Sequence, residues 1–405
     1  MISPSELSRA VSFIHTDDLA GALWVAEDAQ VSPVDLCSAY AIGARSRGVV
    51  IEEHCGVDRF IVEDNAVKGV VLVDGRQVFS EIVVLCAGLW SRELAATAGV
   101  RVPLQAVEHM YVVTEPMNCL PDPVPIVRDL DSGIYLKGDT GKLVLGGFEC
   151  DAKPWDPESR IPQTPFLMFD EDWDHFDVFM DAGLYRVPEL QYTGVHTFMN
   201  GPESFTPDTR PMIGESVNVS GLYVAAGFNS VGVMSSAGVG HAIAGWIVNG
   251  HPPYDLWEVD VARADPGWSE HMYLRQRMRE AVNDQFAVHW PLKQFEHGRK
   301  LRYTPLHERL RMKAAVFGSM ASWERPLWFS ENPDEDNLVH TFSEQPWWEY
   351  AAREALRMKN NVALIDLTPF TKIELSGVGS LDVLQNLCAA DMKWTGNRSA
   401  TVEYV

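Results

Sequence analysis

The sequence lacks the features that mark a disulfide-stapled or membrane-spanning protein. Its 405 residues contain six cysteines, no two of which have C-x-x-C spacing, so they are predicted to be reduced thiols. No run of about 18 apolar residues occurs, so no transmembrane helix is expected. Met1–Ala10 has neither the apolar centre of a signal peptide nor an Arg-rich amphipathic pattern. The expected location is the cytoplasm, with the mitochondrial matrix as the alternative for a eukaryotic protein.

Positive charge is also scarce, with 33 Lys and Arg residues against 56 Asp and Glu residues and a net charge of −23. Such an acidic surface repels phosphate backbones, so nucleic acid is not an expected partner, whereas a small cationic substrate is compatible. The histidines of the later chain show no i, i+4 pairing and lie near no cysteine, so no metal site is predicted. These histidines are His271, His289, His297 and His307. Hydrophobic residues make up 46% of the chain, which is enough for cores in more than one domain.

The first hundred residues have the pattern of a mixed α/β domain. Ser32 and Pro33 can open a helix, the first as a cap and the second in the first turn. Asp64-Asn65 is a turn signal between two strands. Glu81–Gly88 is predicted to be a buried strand, and Cys86 is predicted to be buried packing within it. The other elements expected here are helices Val34–Arg47 and Trp90–Ala98 and strands Val49–Glu53, Arg59–Glu63 and Val67–Val73.

The middle of the chain is richer in strand patterns. The region 102–201 is expected to be an antiparallel domain, whereas 201–250 returns to short strands, glycines and a helix that Pro252-Pro253 is predicted to end. The strands expected in the first of these regions are Met110–Thr114, Ile134–Lys137 and Leu143–Phe148.

The last third of the chain has weaker patterns. Residues 255–307 show little periodicity and are interpreted as a connecting module. Beyond Pro305 the pattern indicates the start of another domain. A strand that includes Ile373–Leu375, a turn at Gly377 and a helix from Ser380 are expected there.

Several blocks of sequence together resemble one protein family. The most distinctive are GPESFTPDTRPMIG at Gly201–Gly214 and YVAAGFNSVG at Tyr223–Gly232. The supporting blocks are VLCAGLWS at Val84–Ser91, PLQAVEHMYVVT at Pro103–Thr114, WERPLWF at Trp323–Phe329 and LIDLTPFTKIELSG at Leu364–Gly377. In this order they resemble the sarcosine/dimethylglycine dehydrogenase family, a glycine-oxidase-like FAD-dependent amine oxidoreductase fused to an aminomethyltransferase-like domain.

The resemblance implies an α/β (α+β) fold: an incomplete FAD-binding Rossmann-like domain with an antiparallel substrate domain, then a partial aminomethyltransferase-like domain. The implied divisions are a nucleotide domain at 1–100 and 202–252, a substrate domain at 101–201, a connecting module at 253–308 and a truncated folate-type domain at 309–405. The family's G-x-G-x-x-G motif, whose helix N-terminus holds the pyrophosphate, is not found before Ser32. The chain is therefore expected to be cut at both ends and to bind FAD poorly.

The resemblance also implies the site residues. His109 and Tyr135 match the substrate-side His and Tyr and are the catalytic candidates, although a lone histidine between strand residues is most often structural. The positions that match cofactor contacts are Val57, Ala87, Gly88, Trp90, Gly214, Gly227, Asn229, Ser230 and Gly232. Small residues at such positions can serve a tight turn alone, or can let the backbone approach a flavin closely.

The activity that the resemblance implies is FAD-dependent oxidation of the N-methyl group of a small amine, either sarcosine or dimethylglycine. The cofactor carries the electron-accepting chemistry, while the protein positions the methyl group and excludes water. The sequence leaves the electron acceptor open. Tetrahydrofolate, which takes the formaldehyde unit in full-length members, is not expected to bind here. The alternative is a non-catalytic regulatory or interaction protein related to the pyruvate dehydrogenase phosphatase regulatory subunit.

Overall fold

The computed structural model describes residues 1–155, 161–162, 164, 166–330, 340–345 and 347–393. The chain forms two compact units. The first consists of Met1–Leu301, Ser319–Ser322 and Glu335–Pro346, and the second of Arg302–Gly318, Trp323–Asp334 and Trp347–Val405. The candidate site lies in the first unit.

The first unit combines helices with strands throughout its length. Its strands are β1 Val57–Glu63, β2 Ala66–Leu72, β3 Gln77–Phe79, β4 Val83–Leu85, β5 Gln105–Thr114, β6 Val127–Asp129, β7 Ile134–Asp139, β8 Lys142–Gly147, β9 Val195–Phe205, β10 Met212–Glu215 and β11 Leu222–Ala226. Its α-helices are α1 Pro4–Ala10, α2 Pro33–Arg45, α3 Ser91–Ala96, α4 Trp173–Arg186, α5 Gly232–Asn249 and α6 His271–Asp284. Short 3-10 helices lie at Gly88–Trp90, Pro188–Tyr192, Val261–Arg263 and Pro266–Ser269. This mixture confirms the predicted α/β (α+β) class.

The largest sheet is antiparallel and has the strand order β6-β7-β8-β5-β9. Helix α4 covers one face, where its Phe176 and Phe179 are fully buried against leucines of β7 and β8. A Cβ atom on Gly147 would lie 2.3 Å from the Phe179 ring, so only glycine lets the helix approach this closely. The three strands predicted in this region are confirmed.

A smaller sheet joins β10, β11 and β4, with β11 antiparallel to β10 and parallel to β4. Every residue of β11 is buried, whereas β4 is an edge strand and Val84 is exposed. The predicted buried strand is therefore shorter than expected, and Leu85 is its buried residue. The prediction that Cys86 is buried is wrong. Among the described residues no further strand pairs with β4, so this edge of the sheet stays open.

The third sheet is the antiparallel meander β1-β2-β3. Asp64 and Asn65 connect its first two strands with positive φ angles of 50° and 56°, which confirms the predicted turn. The strand predicted at Val49–Glu53 is wrong. Val49 and Val50 are exposed, and a strand forms only where a neighbour accepts its backbone hydrogen bonds.

Helix boundaries follow local chemistry. Ser32 accepts a hydrogen bond from the backbone N–H of Asp35, which confirms the predicted start of α2. Helix α5 ends at Gly250, which has a left-handed φ of 76°, so this glycine and not Pro252-Pro253 ends it. Among the described residues, no helix has both the length and the apolar composition needed to cross a bilayer.

The elements of the remaining chain are fewer and less buried. They are β12 Arg302–Tyr303, α7 His307–Arg311, β13 Ala315–Met320, β14 Trp323–Phe329, α8 Trp348–Asn360 and α9 Ser380–Leu387, and the three strands pair in the order β12-β14-β13. The helix from Ser380 is confirmed, and Gly377 has the positive φ of 118° that suits a turn. The strand predicted at Ile373–Leu375 is wrong: this segment forms no strand, and Ile373 is 87% exposed.

Candidate functional site

A cleft of about 780 Å³ opens beside the carboxyl end of β11 and the amino end of α5. Its lining is mostly small or apolar, and Glu203 is the charged residue among the lining residues that the structure describes. They are Val84, Cys86, Gly88, Glu203, Ser204, Ala225, Ala226, Gly227, Phe228, Asn229, Ser230, Gly232, Val233, Ser236, Val239, Gly240, Ile243, Ala244 and Ile247. An apolar cleft with a few placed polar groups suits a flat organic ring system.

The loop between β11 and α5 is held in an unusual backbone shape. Gly227 has a φ of 68°, and a Cβ atom there would lie 2.6 Å from carbon atoms of Leu104 and Thr206. Asn229, buried with a φ of 49°, accepts a hydrogen bond from the Thr206 N–H at 2.8 Å. Its side-chain amide donates to the Gly227 carbonyl oxygen at 2.7 Å. These bonds hold the loop in place before any ligand binds.

Helix α5 presents its amino end to the cleft. No side chain caps this end, so the helix offers its first N–H groups and the positive end of its dipole. Gly232, Ser236, Gly240 and Ala244 recur at every fourth position and therefore share one face of the helix. All four line the cleft. The small side chains let a ligand lie close to the helix backbone, where electron-rich atoms are favoured.

Glu203 connects the cleft loop to a histidine on the large sheet. Ser230 Oγ donates a hydrogen bond to Glu203 Oε2 at 2.6 Å. His109 Nδ1 lies 3.9 Å from the same oxygen, and the His109 side chain is only 15% exposed. The carboxylate thus lies between the loop and the imidazole, where it attracts a positive charge on either the ring or a bound amine.

Tyr135 lies on the same sheet as His109, and both rings pack against Phe148. The Phe148 ring lies 5.1 Å from the His109 ring and 5.9 Å from the Tyr135 ring. Burial raises the pKa of the Tyr135 hydroxyl well above its ordinary value, and the nearby Glu203 carboxylate raises it further. Tyr135 therefore stays a neutral hydrogen-bond donor. A Cβ atom on Gly146, its cross-strand neighbour, would lie 2.4 Å from Tyr135 Oη, so a glycine is required there.

The turn after α6 contacts both the Phe148 ring and the cleft loop. Phe286 packs with its ring centroid 4.2 Å from that of Phe148. The guanidinium of Arg128 lies over this same Phe286 ring, 4.9 Å from its centroid. Gln285 Nε2 donates a hydrogen bond to the backbone oxygen of Asn229 at 2.7 Å. The turn therefore both fixes the cleft loop and adds an aromatic wall.

A family model described as FAD dependent oxidoreductase matches residues 1–246, which is more than half of the 405-residue chain. The chain belongs to this family. Models described as FAD dependent oxidoreductase central domain and GCVT N-terminal domain match residues 249–304 and 306–402. The resemblance to an amine oxidoreductase joined to an aminomethyltransferase-like domain is confirmed.

Relatives of this chain include enzymes and a regulatory subunit. The chain is 37% identical to 4-methylaminobutanoate oxidase (formaldehyde-forming) of Paenarthrobacter nicotinovorans, over 92% of this chain and 45% of that protein. It is 32% identical to the mitochondrial sarcosine dehydrogenase of Mus musculus, over 97% and 46%. It is 34% identical to the mitochondrial pyruvate dehydrogenase phosphatase regulatory subunit of Mus musculus, over 97% and 45%. The chain spans about half the length of these relatives.

Solved structures support the same fold. The crystal structure of L-proline dehydrogenase from P. horikoshii aligns with a TM-score of 0.57 and 24% identity. The match covers 65% of this chain and 67% of that one. At this identity the match establishes the architecture of the family and no further property.

The residues of this family member fit the ring portion of FAD. The cleft has room for a flat ring, Gly227 lacks the Cβ that would displace its neighbours, and the uncapped end of α5 suits the electron-rich edge of the ring. Gly88 and the Gly227–Gly232 loop would hold that ring. The G-x-G-x-x-G motif for the pyrophosphate does not occur in the 405 residues. The described residues therefore fit the flavin ring.

The structure divides the predicted cofactor positions into two groups. The group that lines the cleft is Gly88, Gly227, Asn229, Ser230 and Gly232. The group that does not is Val57, Ala87, Trp90 and Gly214. The catalytic candidates His109 and Tyr135 lie outside the cleft lining. His109 lies 3.9 Å from the lining residue Glu203, and both candidates pack against the Phe148 ring.

The four positions outside the cleft lining each make contacts that support the fold. Val57 begins β1 and pairs with Leu72. Trp90 Nε1 donates to the Pro162 carbonyl oxygen at 3.1 Å. A Cβ atom on Gly214 would lie 2.8 Å from the Trp246 ring, so this glycine makes room for α5. Ala87 packs against the core of the smaller sheet.

Several residues of the site were not predicted from the sequence. Glu203 lies within the distinctive GPESF block and is its charged residue, so the motif contained a usable signal. Phe148 is the last residue of a predicted strand but has no motif of its own. Arg128, Gln285 and Phe286 lie in segments without clear periodicity, and their role depends on contacts that only the folded chain creates.

Proposed function

We propose that this protein is an FAD-dependent oxidoreductase that removes the N-methyl group of a small amino acid by oxidation. The observation that carries the proposal is the connection from Ser230 in the cleft loop, through Glu203, to His109. It joins a cleft shaped for a flavin ring to a group of side chains suited to an amine. Bound FAD supplies the two-electron acceptor for this chemistry.

The side chains around the connection have distinct tasks. Glu203 attracts the cationic amine, and the His109 ring is placed to take a proton from it, which leaves the neutral amine that gives up a hydride equivalent from its methyl group. Tyr135 remains protonated because burial raises its pKa, and it donates a directional hydrogen bond. The Phe148 ring keeps water away from the methyl group. Addition of water to the resulting iminium then releases formaldehyde and the demethylated amine.

The substrate class is supported by the relatives. 4-Methylaminobutanoate and sarcosine each carry an N-methyl amine and a carboxylate, and they differ in the length of the chain between the two groups. Sarcosine and dimethylglycine are the substrates expected from the sequence, and 4-methylaminobutanoate is a further candidate. The common feature is an N-methyl amino acid, which is the class proposed here.

The 405-residue chain is expected to bind FAD weakly. The pyrophosphate loop supplies much of the affinity in dinucleotide sites, and its G-x-G-x-x-G motif is missing from this sequence. We expect a Kd weaker than about 1 µM, measured by quenching of flavin fluorescence during titration. Purification of a yellow protein with stoichiometric FAD would contradict this expectation.

The activity is tested with FAD in excess and oxygen excluded. Sarcosine, dimethylglycine and 4-methylaminobutanoate are added in turn, with glycine as the control that has no N-methyl group. We expect at least one N-methyl amino acid to bleach the oxidised-flavin absorbance and to release formaldehyde. Bound FAD that none of the three compounds reduces would overturn the proposed function.

A regulatory role is the second candidate. It is supported by the 34% identity to the pyruvate dehydrogenase phosphatase regulatory subunit, which is close to the 32% identity to sarcosine dehydrogenase. A folded chain that fails to quench flavin fluorescence at any FAD concentration would favour this second role. Weak but saturable binding, followed by reduction with substrate, favours the enzyme.

A further inference from the structure

A side-chain amide in the turn after α6 holds a strained peptide group of the cleft loop. Gln285 Nε2 donates a hydrogen bond to the carbonyl oxygen of Asn229 at 2.7 Å. Asn229 and the next residue, Ser230, both have left-handed φ angles, 49° and 63°, which residues other than glycine rarely adopt. Such a backbone persists only where its surroundings hold it, so the Gln285 bond opposes rotation of the peptide group between these two residues.

The same peptide group leaves its N–H available on the opposite side. The bond between Asn229 and Ser230 is trans, so the Asn229 carbonyl and the Ser230 N–H point in opposite directions. Because the carbonyl faces Gln285, the Ser230 N–H is turned away from Gln285. In the part of the chain that the structure describes, this N–H has no hydrogen-bond partner, and Ser230 lines the cleft.

The turn that carries Gln285 is fixed to the large sheet. Met278 and Ala281 of α6 are fully buried, and they belong to the same apolar cluster as Phe148. The next residue after Gln285, Phe286, packs with its ring centroid 4.2 Å from that of Phe148. A donor on a firmly packed turn can hold the loop peptide in one orientation, whereas a donor on a loose segment would follow the loop.

The other half of the Gln285 amide shows that this side chain adds little to the stability of the fold. Within the described ranges, Gln285 Oε1 is buried and has no hydrogen-bond partner. A buried acceptor left unpaired costs free energy of the same order as one hydrogen bond contributes. The two halves of the amide therefore nearly cancel in stability, and what remains is the orientation that the donor half imposes on the loop.

We propose that Gln285 is a positioning residue: it directs the Ser230 N–H toward the electron-rich edge of the bound flavin ring and so favours reduced over oxidised FAD. The inference rests on the proposed function, because it concerns the cofactor of the same site. Reduction adds negative charge to the ring, and a hydrogen bond to a charged acceptor is stronger than one to a neutral acceptor. An N–H held in this orientation therefore raises the affinity for reduced FAD more than the affinity for oxidised FAD.

The test measures both affinities in Gln285→Met, which keeps the length of the side chain and removes its N–H. Anaerobic calorimetry gives the Kd of oxidised FAD and the Kd of dithionite-reduced FAD for the parent chain and for the variant. We expect the preference for reduced over oxidised FAD to fall about tenfold in Gln285→Met, the range of one charge-assisted hydrogen bond. For a two-electron couple this fall equals a decrease of about 30 mV in the potential of the bound flavin.

The ratio of the two affinities separates positioning from mere loosening of the site. A variant that only loosens the cleft would weaken the binding of both forms of FAD equally and leave the ratio unchanged. Urea unfolding without FAD should give Gln285→Met nearly the stability of the parent chain, because the substitution removes one hydrogen bond and one unpaired oxygen together.

Two further variants complete the test. Gln285→Glu keeps the shape of the side chain but places an acceptor against the Asn229 carbonyl, so its ratio should fall at least as far at neutral pH. Gln191→Met is the matched control, because Gln191 Nε2 also donates to a backbone carbonyl, that of Pro188 at 2.9 Å, but Gln191 does not line the cleft. Its ratio should equal that of the parent chain.

The outcomes distinguish this inference from the proposed function. If Gln285→Met keeps the ratio of the parent chain, or if Gln191→Met lowers it equally, the inference is wrong while reduction of the flavin by an N-methyl amino acid still supports the function. A large loss of stability in both Gln285 variants would make Gln285 a structural residue and would also overturn the inference. If the parent chain binds neither form of FAD, the proposed function fails and the inference fails with it.

Discussion

At the residue scale, two glycines give the site its shape. Gly227 allows the left-handed turn that faces the cleft, and Gly146 leaves the space that the Tyr135 hydroxyl occupies. A side chain at either position would push against atoms closer than 2.7 Å. At both positions it is the lack of a Cβ atom that matters, because neighbouring atoms occupy the space that a Cβ atom would fill.

The substrate side and the cofactor side of the site should respond differently to substitution. We predict that His109→Ala and Tyr135→Phe lower the rate of flavin reduction by N-methyl amino acids by about 10²-fold, the range of lost proton-transfer and hydrogen-bond catalysis. Their FAD affinity should change little. Gly88→Leu and Gly227→Ala should instead weaken FAD binding, because they fill the cleft or displace its loop.

Fluorescence titration with FAD and anaerobic stopped-flow reduction measure the two effects separately. An equal loss of FAD affinity in all four variants would show that these residues are assigned to the wrong sides of the site.

A second residue-scale prediction concerns pH. His175 Nε2 lies 3.1 Å from Glu149 Oε1, and this hydrogen bond raises the pKa of the His175 ring above its ordinary value. Since the folded pKa is raised, the pair stabilises the fold fully below the unfolded pKa of about 6.5, and this contribution is lost as the pH rises through the folded pKa. The stability lost in His175→Gln should therefore be larger at acidic than at alkaline pH.

Urea unfolding of the parent chain and of His175→Gln on both sides of this range measures the effect. His196→Gln is the control, because it breaks an exposed pair with Glu115 that solvent screens. A loss of stability in His175→Gln that is independent of pH would rule out this role for the pair.

At the element scale, a buried arginine fastens the N-terminal segment to the large sheet. Arg186, at the end of α4, has a side chain only 4% exposed. It bonds both carboxylate oxygens of Asp18 at 2.8 and 2.9 Å, the carboxylate of Asp129 at 2.9 Å and the His15 carbonyl oxygen at 2.6 Å. One side chain thus ties together the segment after α1, the end of β6 and α4.

Removal of this arginine should therefore be costly. We predict that Arg186→Gln lowers the free energy of unfolding by about 3 kcal/mol, because it leaves the buried Asp129 carboxylate without its counter-charge and removes the partner of Asp18. Arg279→Gln, which breaks an exposed pair with Asp151, should cost far less, because solvent screens that pair. Urea unfolding followed by tryptophan fluorescence measures both, and similar losses in the two variants would count against the argument.

At the scale of the whole molecule, the described residues between 361 and 393, within the region that matches the GCVT N-terminal domain, are all exposed or only partly buried. Leu364 is 91% exposed and Ile373 is 87% exposed, so this stretch leaves its apolar side chains uncovered. We predict that the 405-residue chain does not bind tetrahydrofolate, since a folate pocket needs enclosing walls that the described residues of this region do not form. Isothermal calorimetry measures this directly, and saturable binding of tetrahydrofolate would contradict the prediction.

The sequence by itself determined the features that depend on short-range chemistry. Ser32 and Pro33 start a helix, Asp64-Asn65 makes a turn with two positive φ angles, and the Gly227–Gly232 loop has the residues that its backbone shape requires. The family was also readable from the sequence, because its motifs are contiguous blocks. Each of these depends on residues close together in the chain.

Only the tertiary structure decided the features that depend on distant partners. The strand predicted at Ile373–Leu375 has an alternating pattern but forms no strand, and Cys86 is exposed because β4 is an edge. Arg128 joins the site through Phe286, which lies far away in the sequence. The physical reason is the same in each case: burial, pairing and charge complementarity are properties of two segments in contact, and a local pattern describes only one of them.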